Sequence, residues 1–133
     1  MTTFPLSVVT PDGLKYSGEV TSLLVHSEHG DLEFLAKHVD YVASIGTGRA
    51  RITTPDGPRV ASCSGGFVTM THGEARLICV TFEFSDEIDL DRAKQAKEQA
   101  EERFRNASSE GDLTLAKAKL ARALSRIKVA ERF

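Results

Sequence analysis

EIDLDRAKQA, residues 87–96, marks the point at which the pattern of this 133-residue chain changes. Before it, short runs rich in β-branched residues are separated by turn signals, which is typical of β-strands. After it, Ala93, Ala96 and Ala100 recur at helical spacing. The order of these two patterns predicts an α+β chain, with a β part first and helices at the C-terminus.

Turn signals divide the β part. TPDG occurs twice, at residues 10–13 and 54–57, and in each copy Pro presets the first turn position, Asp can bond its own backbone and Gly tolerates a positive φ. The clearest strands are VTSLLVH, DYVASIG, RARITT and ARLICVTFE. The last is apolar on both faces, so we expect it to be covered on both sides. Many short strands without intervening helices favour an antiparallel sandwich or barrel.

The helical part predicts an antiparallel hairpin. The first helix carries Phe104 on its alanine stripe, NASSEGD at residues 106–112 is a turn-rich break, and Asp112 is a good N-cap for the next run. The second stripe consists of Leu113, Ala116, Leu120, Ala123, Leu124 and Ile127. Alanine buries little apolar area, so we expect the hairpin either to pack on the β part or to change conformation at modest cost.

Composition excludes some classes of function. The formal net charge of −2 provides no overall basic field for nucleic acid. No apolar run approaches the roughly 20 residues that span a bilayer, and MTTFPLSVVT lacks the features of a signal peptide. We expect a cytosolic chain without direct membrane insertion, held at any membrane by another subunit. Cys63 and Cys79 lie in apolar stretches and are expected to be buried thiols.

The predicted hairpin brings distant arginines together. If its turn is centred near residue 109, Arg92 lies level with Arg126, and Arg122 lies one turn back on the same face. Three guanidiniums repel one another unless acids or an anion neutralise them, and their forked donors suit phosphate oxygens. This arrangement indicates an anion site of nucleotide size at the open end of the hairpin.

Neighbouring residues allow two interpretations of this corner. Asp89 could cap the first helix or accept hydrogen bonds from a ribose or an arginine. The small side chain of Ala93 leaves room for a flat ring to lie against the helix. Glu83 is close in sequence to the start of this helix. The alternative is a surface salt-bridge network in which Asp89, Glu83 and Glu131 neutralise the arginines. The residues by themselves leave both interpretations open.

Other candidate sites are weaker. His26 and His29, with Glu28 and Asp31, have the spacing of metal ligands, but in a strand and turn the two rings face different ways, so no metal site is predicted. Gly46-x-Gly48 lacks the third glycine of a dinucleotide fingerprint and is not followed by a helix. No nucleophile elbow is present, and no catalytic constellation is predicted.

Several segments together resemble the epsilon subunit of F-type ATP synthase. VVTPDGLKYSGEV is similar to the opening hairpin of that family, CSGGFVTMT to its Ser-Gly-Gly-Phe-Val strand, and IKVAE to its C-terminal signature. IDLDRA, residues 88–93, fits the Ile/Leu-Asp-x-x-Arg-Ala motif of bacterial-type members that bind ATP. One segment departs: in HGDLEFLAKHVDYV, Asp31 and His38 match the acid and histidine of the family's partner-contact loop, but its prolines and a glycine are missing.

The resemblance implies a ten-stranded antiparallel β-sandwich over residues 1–84 and a helical hairpin over residues 85–133. It implies a non-catalytic rotor subunit of a proton-translocating ATP synthase, beside the gamma subunit and on the membrane c-ring, at the cytoplasmic face. When the family's ATP site is carried over to this sequence, the resemblance implies the residues Glu83, Ile88, Asp89, Arg92, Ala93, Arg122 and Arg126. Gln99 stands where ATP-binding members often carry a basic group, so Lys97 or Arg103 is expected to substitute.

The resemblance also implies a regulatory cycle. Bound ATP, with or without Mg²⁺, would hold the helices against the sandwich. Without ATP the hairpin would open, and the second helix would extend along gamma towards the catalytic alpha and beta subunits and inhibit ATP hydrolysis. The alternative function is a purely structural rotor linker, in which the hairpin is static and binds no nucleotide.

Overall fold

The computed structural model describes residues 2–132, and it contains ten strands and two long helices in that range. Their bounds are β1 Phe4–Thr10, β2 Gly13–Val20, β3 Ser22–Ser27, β4 Gly30–Leu35, β5 Tyr41–Ser44, β6 Gly48–Thr54, β7 Gly57–Ser64, β8 Phe67–Thr71, β9 Glu74–Ile78, β10 Thr81–Phe84, α1 Leu90–Arg105 and α2 Glu110–Arg132. The predicted α+β fold, a sandwich followed by a helical hairpin, is confirmed. The predicted domain bounds 1–84 and 85–133 stay a prediction, and their end residues, Met1 and Phe133, lie outside the described residues.

The strands form two five-stranded sheets rather than a barrel. One sheet has the order β2-β1-β9-β8-β5, and the other has the order β10-β7-β6-β3-β4. Neighbouring strands are antiparallel except β1 and β9, which run parallel with Leu6 opposite Ala75. This parallel pair joins the first strand of the chain to one of the last strands of the sandwich.

Strand alternation places the core between the sheets. In β1, Phe4, Leu6 and Val8 are buried while Pro5 is exposed. Large apolar side chains from both sheets, including Leu23 and Ile52, are fully buried there. Because burying one such side chain contributes about 1.5–3 kcal/mol, the core defines the position of each strand firmly.

The stretch ARLICVTFE is not one strand. β9 ends at Ile78 in one sheet, and β10 begins at Thr81 in the other. Between them, the N–H of Cys79 donates to Val9 O at 3.0 Å, and the N–H of Val80 donates to Ser64 O at 2.9 Å. The expectation of a strand covered on both sides is therefore wrong. The apolar residues of this stretch reflect a crossing between sheets, and Val80 itself is half exposed.

Both TPDG turns form as predicted, but the aspartate is not the residue that bonds the turn. Thr10 Oγ1 accepts from the N–H of Asp12 at 3.2 Å, and Thr54 Oγ1 accepts from the N–H of Asp56 at 3.1 Å. Gly13 and Gly57 have φ values of 120° and 126°, which side chains rarely adopt. The threonine hydroxyl and the glycine therefore define these turns.

Cys63 and Cys79 are free, buried thiols, in agreement with the sequence prediction. They lie in the same hydrophobic core, one on β7 and the other at the crossing between sheets. The hydrogen bond to Cys79, together with burial, raises the pKa of the Cys63 thiol. Cys63 is therefore an uncharged core residue at neutral pH.

The hairpin has an alanine seam. Ala93 and Ala100 of α1 are buried, as are Ala116, Ala123 and Val129 of α2. Phe104, predicted for the same stripe, is 41% exposed and lies one residue before the end of α1. None of the helices within residues 2–132 is long and apolar enough to cross a membrane.

The second helix begins earlier than predicted. α2 starts at Glu110, and the N–H of Asp112 donates to Ser109 Oγ at 3.1 Å. Ser109 therefore caps the helix, and the prediction of Asp112 as the N-cap is wrong. Asp112 instead accepts from Ser108 Oγ at 3.0 Å. An acid in the first helical turn is still favourable, because it faces the positive end of the helix dipole.

Candidate functional site

Six of the seven predicted ATP-site residues lie at the corner where the sandwich passes into the hairpin. Glu83 lies on β10, opposite Ser62 of β7. A short 3₁₀ turn, Ser85–Glu87, then reverses the chain, and Ile88 continues it in an extended conformation. This reversal brings the start of α1 back beside the last strand.

Asp89 is the N-cap of α1. Its Oδ1 accepts from the N–H of Arg92 at 3.1 Å, and the N–H of Ala93 donates to Asp89 O at 3.0 Å. Of the two roles that the sequence allowed, capping is the one that the structure contains. The cap fixes the backbone of Arg92 and leaves the guanidinium of this exposed residue free to turn.

Arg126 crosses from α2 to the sandwich. Its Nε donates to Glu83 Oε1 at 2.5 Å, and the side chains of Arg126 and Glu83 are 28% and 36% exposed. One residue earlier, Ser125 Oγ lies 2.8 Å from Ser62 Oγ. Because Ser62 and Glu83 face each other on neighbouring strands, two consecutive residues of α2 bind two paired residues of the sheet.

An open cavity of about 550 Å³ lies at this corner. We call it the corner cavity; it is lined by Glu83, Glu87, Ile88, Asp89, Arg92, Ala93, Gln95, Ala96, Gln99 and Arg126. Six of the seven predicted ATP-site residues are among them. The prediction that Arg92 lies level with Arg126 is therefore supported by a shared cavity.

Arg122 does not line the corner cavity. It lines an adjoining space of about 230 Å³ between α1 and α2, which we call the interhelical cavity. Arg126, Ala96 and Gln99 line both cavities, so the two adjoin each other. Arg122 precedes Arg126 by one turn of α2, so it lies farther from the sandwich and nearer the loop that joins the two helices.

The predicted salt-bridge network forms only in part. Glu83 pairs with Arg126, but Glu131 pairs with Lys94 at 3.8 Å instead of with an arginine. In the described part of the chain, neither Arg92 nor Arg122 has a carboxylate within 4 Å. Internal ion pairs thus account for one of the three arginines.

The two predicted partner-contact residues lie at opposite ends of β4. Asp31, near its start, accepts from His26 Nδ1 at 3.1 Å and lies 3.6 Å from Arg49 Nη2. His38 lies beyond its end, and its ring packs edge-on against Phe34 at 5.0 Å between centroids. Their role in partner contact stays a prediction.

The histidine cluster near β3 has no metal-site geometry. His26 is engaged with Asp31, and His29 lies in the following turn. No group of three or more histidine, cysteine, aspartate or glutamate side chains in residues 2–132 is placed to hold a metal ion. The histidines whose spacing resembles that of metal ligands lie at the end of a strand and in the turn that follows it, where His26 is hydrogen-bonded to Asp31.

Sequence reasoning missed two parts of the corner. The polar side chain of Gln95 lines the corner cavity, and the Ser62–Ser125 hydrogen bond holds α2 on the sheet. Of the two basic residues expected to substitute at Gln99, Arg103 lines the interhelical cavity, whereas Lys97 lines neither cavity. Only the position of Gln95, on the helix face that carries Arg92 and Gln99, could have been found from helical spacing.

Two family models match the chain. The beta-sandwich domain of the ATP synthase Delta/Epsilon chain matches residues 3–85, and the long alpha-helix domain of the same family matches residues 86–131. Among curated relatives, the "ATP synthase epsilon chain" of Bacillus pumilus (strain SAFR-032) is 38% identical over 130 residues and covers 98% of each chain. The protein of that name from Halalkalibacterium halodurans is 35% identical over 133 residues and covers 99% of this chain and 100% of its own.

Two solved structures have the same fold. A chain of the Euglena gracilis mitochondrial ATP synthase, OSCP/F1/c-ring, superposes with a TM-score of 0.83 at 18% identity, covering 99% of this chain and 83% of its own. A chain of the Tetrahymena thermophila mitochondrial ATP synthase, central stalk/c-ring, has a TM-score of 0.62 at 11% identity, covering 95% of both. At these identities the likeness extends to the fold alone.

Proposed function

This chain belongs to the ATP synthase Delta/Epsilon family, and on that premise we propose that it is the rotor subunit that couples gamma to the membrane c-ring. It is a non-catalytic subunit of the ATP synthase complex. Its place would be peripheral, at the cytoplasmic face of the membrane. The assemblies that contain the two structural neighbours, an OSCP/F1/c-ring assembly and a central stalk/c-ring assembly, support this role.

The corner cavity supports ATP as the ligand of this subunit. One observation carries this: a single cavity joins β10, α1 and α2, and its lining includes two arginines, three acids and the apolar residues Ile88 and Ala93. Ile88 and Ala93 would provide apolar contacts for an adenine ring, and the guanidinium of Arg92 suits phosphate oxygens. The second carboxyl oxygen of Asp89 is left to accept from a ribose hydroxyl.

Binding at this corner would regulate the hairpin. A ligand that touches β10, α1 and α2 favours the form in which the three are packed, and it does so by its differential affinity. At about 100 times its dissociation constant, it would stabilise the packed form by roughly 2.7 kcal/mol. The packed form is held by an alanine seam and two polar contacts. These interactions are weak enough for the ligand's stabilisation to shift the equilibrium between the packed and open forms. When extended, the basic face of α2 would meet acidic surfaces on the catalytic subunits and slow ATP hydrolysis.

Calorimetric titration with ATP tests the site. We expect Arg92→Ala to weaken binding about tenfold or more, since hydrogen bonds to charged groups contribute about 1.5–3 kcal/mol. Arg105→Ala is the matched control, because Arg105 is also an exposed arginine of α1 but does not line the cavity. GTP is the second ligand, and Mg²⁺ is varied in both titrations. Absence of binding by ATP, or equal losses in the two variants, would refute the nucleotide site.

A static linker is the second candidate function, and the contacts Ser62–Ser125 and Glu83–Arg126 favour it because they hold α2 without a nucleotide. Hydrogen exchange on the full chain separates the two. Regulation requires that ATP slows amide exchange in α1 and α2 and leaves the sandwich unchanged. A static linker shows the same exchange with and without ATP.

A further inference from the structure

A separate cavity borders α2 at the other end of the sheet. The sheet on which α2 packs has β10 at one edge and β4 at the other, and the corner cavity lies at the β10 edge. A second open cavity, of about 600 Å³, lies between α2 and the strands β3, β4 and β6. We call it the β4-edge cavity. Among residues 2–132 it shares no lining residue with the corner cavity or the interhelical cavity, so it is distinct from the proposed nucleotide site.

The strand side of the β4-edge cavity carries a charged network. Asp31 Oδ1 accepts from His26 Nδ1 at 3.1 Å, and Asp31 Oδ2 lies 3.6 Å from Arg49 Nη2. Gly48 permits this arrangement, because a Cβ at that position would lie only 2.9 Å from His26 Cβ. Since a guanidinium has five N–H donors and the network supplies one carboxylate, Arg49 keeps donors for a second anion.

The helix side of the cavity combines apolar surface with a cation. Ala121, Leu124 and Lys128 line it from one face of α2, at spacings of three and four residues. Leu124 is 45% exposed, so much of its apolar surface is accessible to a ligand. Lys128 has no carboxylate within 4 Å in the part of the chain that the structure describes. The helix therefore presents apolar surface one turn away from an ammonium group without an internal ion pair.

The charges of the lining favour one kind of ligand. With histidine counted as neutral, the lining includes two cations, Arg49 and Lys128, and one acid, Asp31. A ligand with a single negative charge balances this excess, whereas a dianion brings a second charge that the lining does not compensate. Small-molecule sites of about 300–1,000 Å³ typically combine apolar surface with a few polar groups that orient the ligand. Size, charge and apolar surface therefore all suit an amphipathic monoanion.

We propose that the β4-edge cavity binds a medium-chain acyl carboxylate. Its carboxylate accepts hydrogen bonds from Arg49 and Lys128, and its alkyl chain lies against Leu124 and Ala121. Because this ligand contacts β6 and α2 together, it stabilises the packed hairpin by its differential affinity for that form. It does so at a site that shares no group with the corner cavity, so the inference does not depend on nucleotide binding.

Calorimetric titration of the full chain with sodium octanoate, without ATP, tests this. Arg49→Gln and Lys128→Gln should each weaken octanoate binding about tenfold, as loss of a hydrogen bond between charged groups predicts. Arg51→Gln is the matched strand control, because Arg51 also lies on β6 and faces a carboxylate, that of Glu33, but does not line the cavity. Lys117→Gln is the matched helix control, at an exposed lysine of α2 outside the cavity. Circular dichroism verifies the fold of every variant.

Two further ligands separate the charge from the chain. Acetate has the carboxylate without the chain, and octan-1-ol has the chain without the charge, so each should bind at least about tenfold more weakly than octanoate. The proposal is wrong if octanoate does not bind, if acetate or octan-1-ol binds equally well, or if all four variants behave alike. Co-sedimentation with phosphatidylglycerol vesicles is a separate measurement. Binding to vesicles without binding of octanoate would indicate a membrane surface instead, and it would also overturn the proposal.

Discussion

The sandwich and the hairpin of this chain are built by different means. The sandwich buries Phe4, Phe34, Leu23 and Ile52 between its sheets. The side chains buried in the hairpin are small, mainly alanines such as Ala100 and Ala123. Each large side chain contributes about 1.5–3 kcal/mol on burial, whereas an alanine contributes roughly one CH₂ group's worth, about 0.8 kcal/mol.

The difference concerns control as well as stability. A region whose packing energy is large keeps one conformation, whereas a thinly packed region can be shifted by ligands or partners. The corner cavity lies where the two regions meet, with Glu83 from the sandwich and Arg92 and Arg126 from the hairpin. A ligand bound there would contact both regions, so it would be positioned by the sandwich and would act on the hairpin.

The largest effect is expected in the sandwich core. Leu23 is fully buried on β3, so Leu23→Ala should lower the free energy of unfolding by about 2–5 kcal/mol. Leu124→Ala is the matched change in the hairpin, where the side chain is 45% exposed, and it should cost about 1 kcal/mol. Urea denaturation measures both. Equal losses would mean that the two regions do not differ in packing as described.

A middle effect is expected at the alanine seam. Ala123 of α2 is fully buried in the alanine seam. Ala123→Leu should therefore overpack the seam at a cost of about 1–3 kcal/mol. Hydrogen exchange should then accelerate in α1 and α2 and stay unchanged in β3, β6 and β7. Ala121→Leu, at an exposed position two residues earlier, is the control and should change neither. Faster exchange throughout the chain would show that the hairpin does not open separately.

Much of this contrast could be predicted from the sequence, because burial leaves a periodic pattern. The alternation of Phe4, Leu6 and Val8 predicts a half-buried strand, and the spacing of Ala93 and Ala100 predicts a thin helical seam. Periodicity describes which side of an element is apolar. It does not describe which element covers that side. The pattern of ARLICVTFE therefore does not reveal that the chain passes from one sheet to the other at Cys79.

The candidate site was predictable to the extent that chain geometry decides it. The symmetry of a helical hairpin about its turn is enough to bring Arg92 and Arg126 to one cavity. The rotation of each helix about its axis is decided by packing on the sandwich, which the sequence does not reveal. For this reason Arg122 points to the interhelical cavity, and the pairing of Arg126 with Glu83 appears only in the structure.

The smallest effect tests the contact between the two regions. Ser62 is 5% exposed, and its Oγ lies 2.8 Å from Ser125 Oγ. Ser125→Ala therefore leaves a buried hydroxyl without its partner. We expect a loss of about 1 kcal/mol in the free energy of unfolding, since an unsatisfied buried group costs about 1–3 kcal/mol and Ser125 itself is only partly buried.

The double variant Ser62→Ala, Ser125→Ala supplies the decisive measurement. Removing both hydroxyls leaves no orphaned group, so the double variant should be more stable than the sum of the single losses predicts, with a coupling of about 0.5 kcal/mol or more in a double-mutant cycle. The coupling should vanish in chains that also carry Ala123→Leu, because opening the hairpin separates Ser125 from the sheet. Strictly additive losses in the original chain would mean that this hydrogen bond does not join the regions. The attachment of the hairpin would then depend on the Glu83–Arg126 ion pair and the alanine seam.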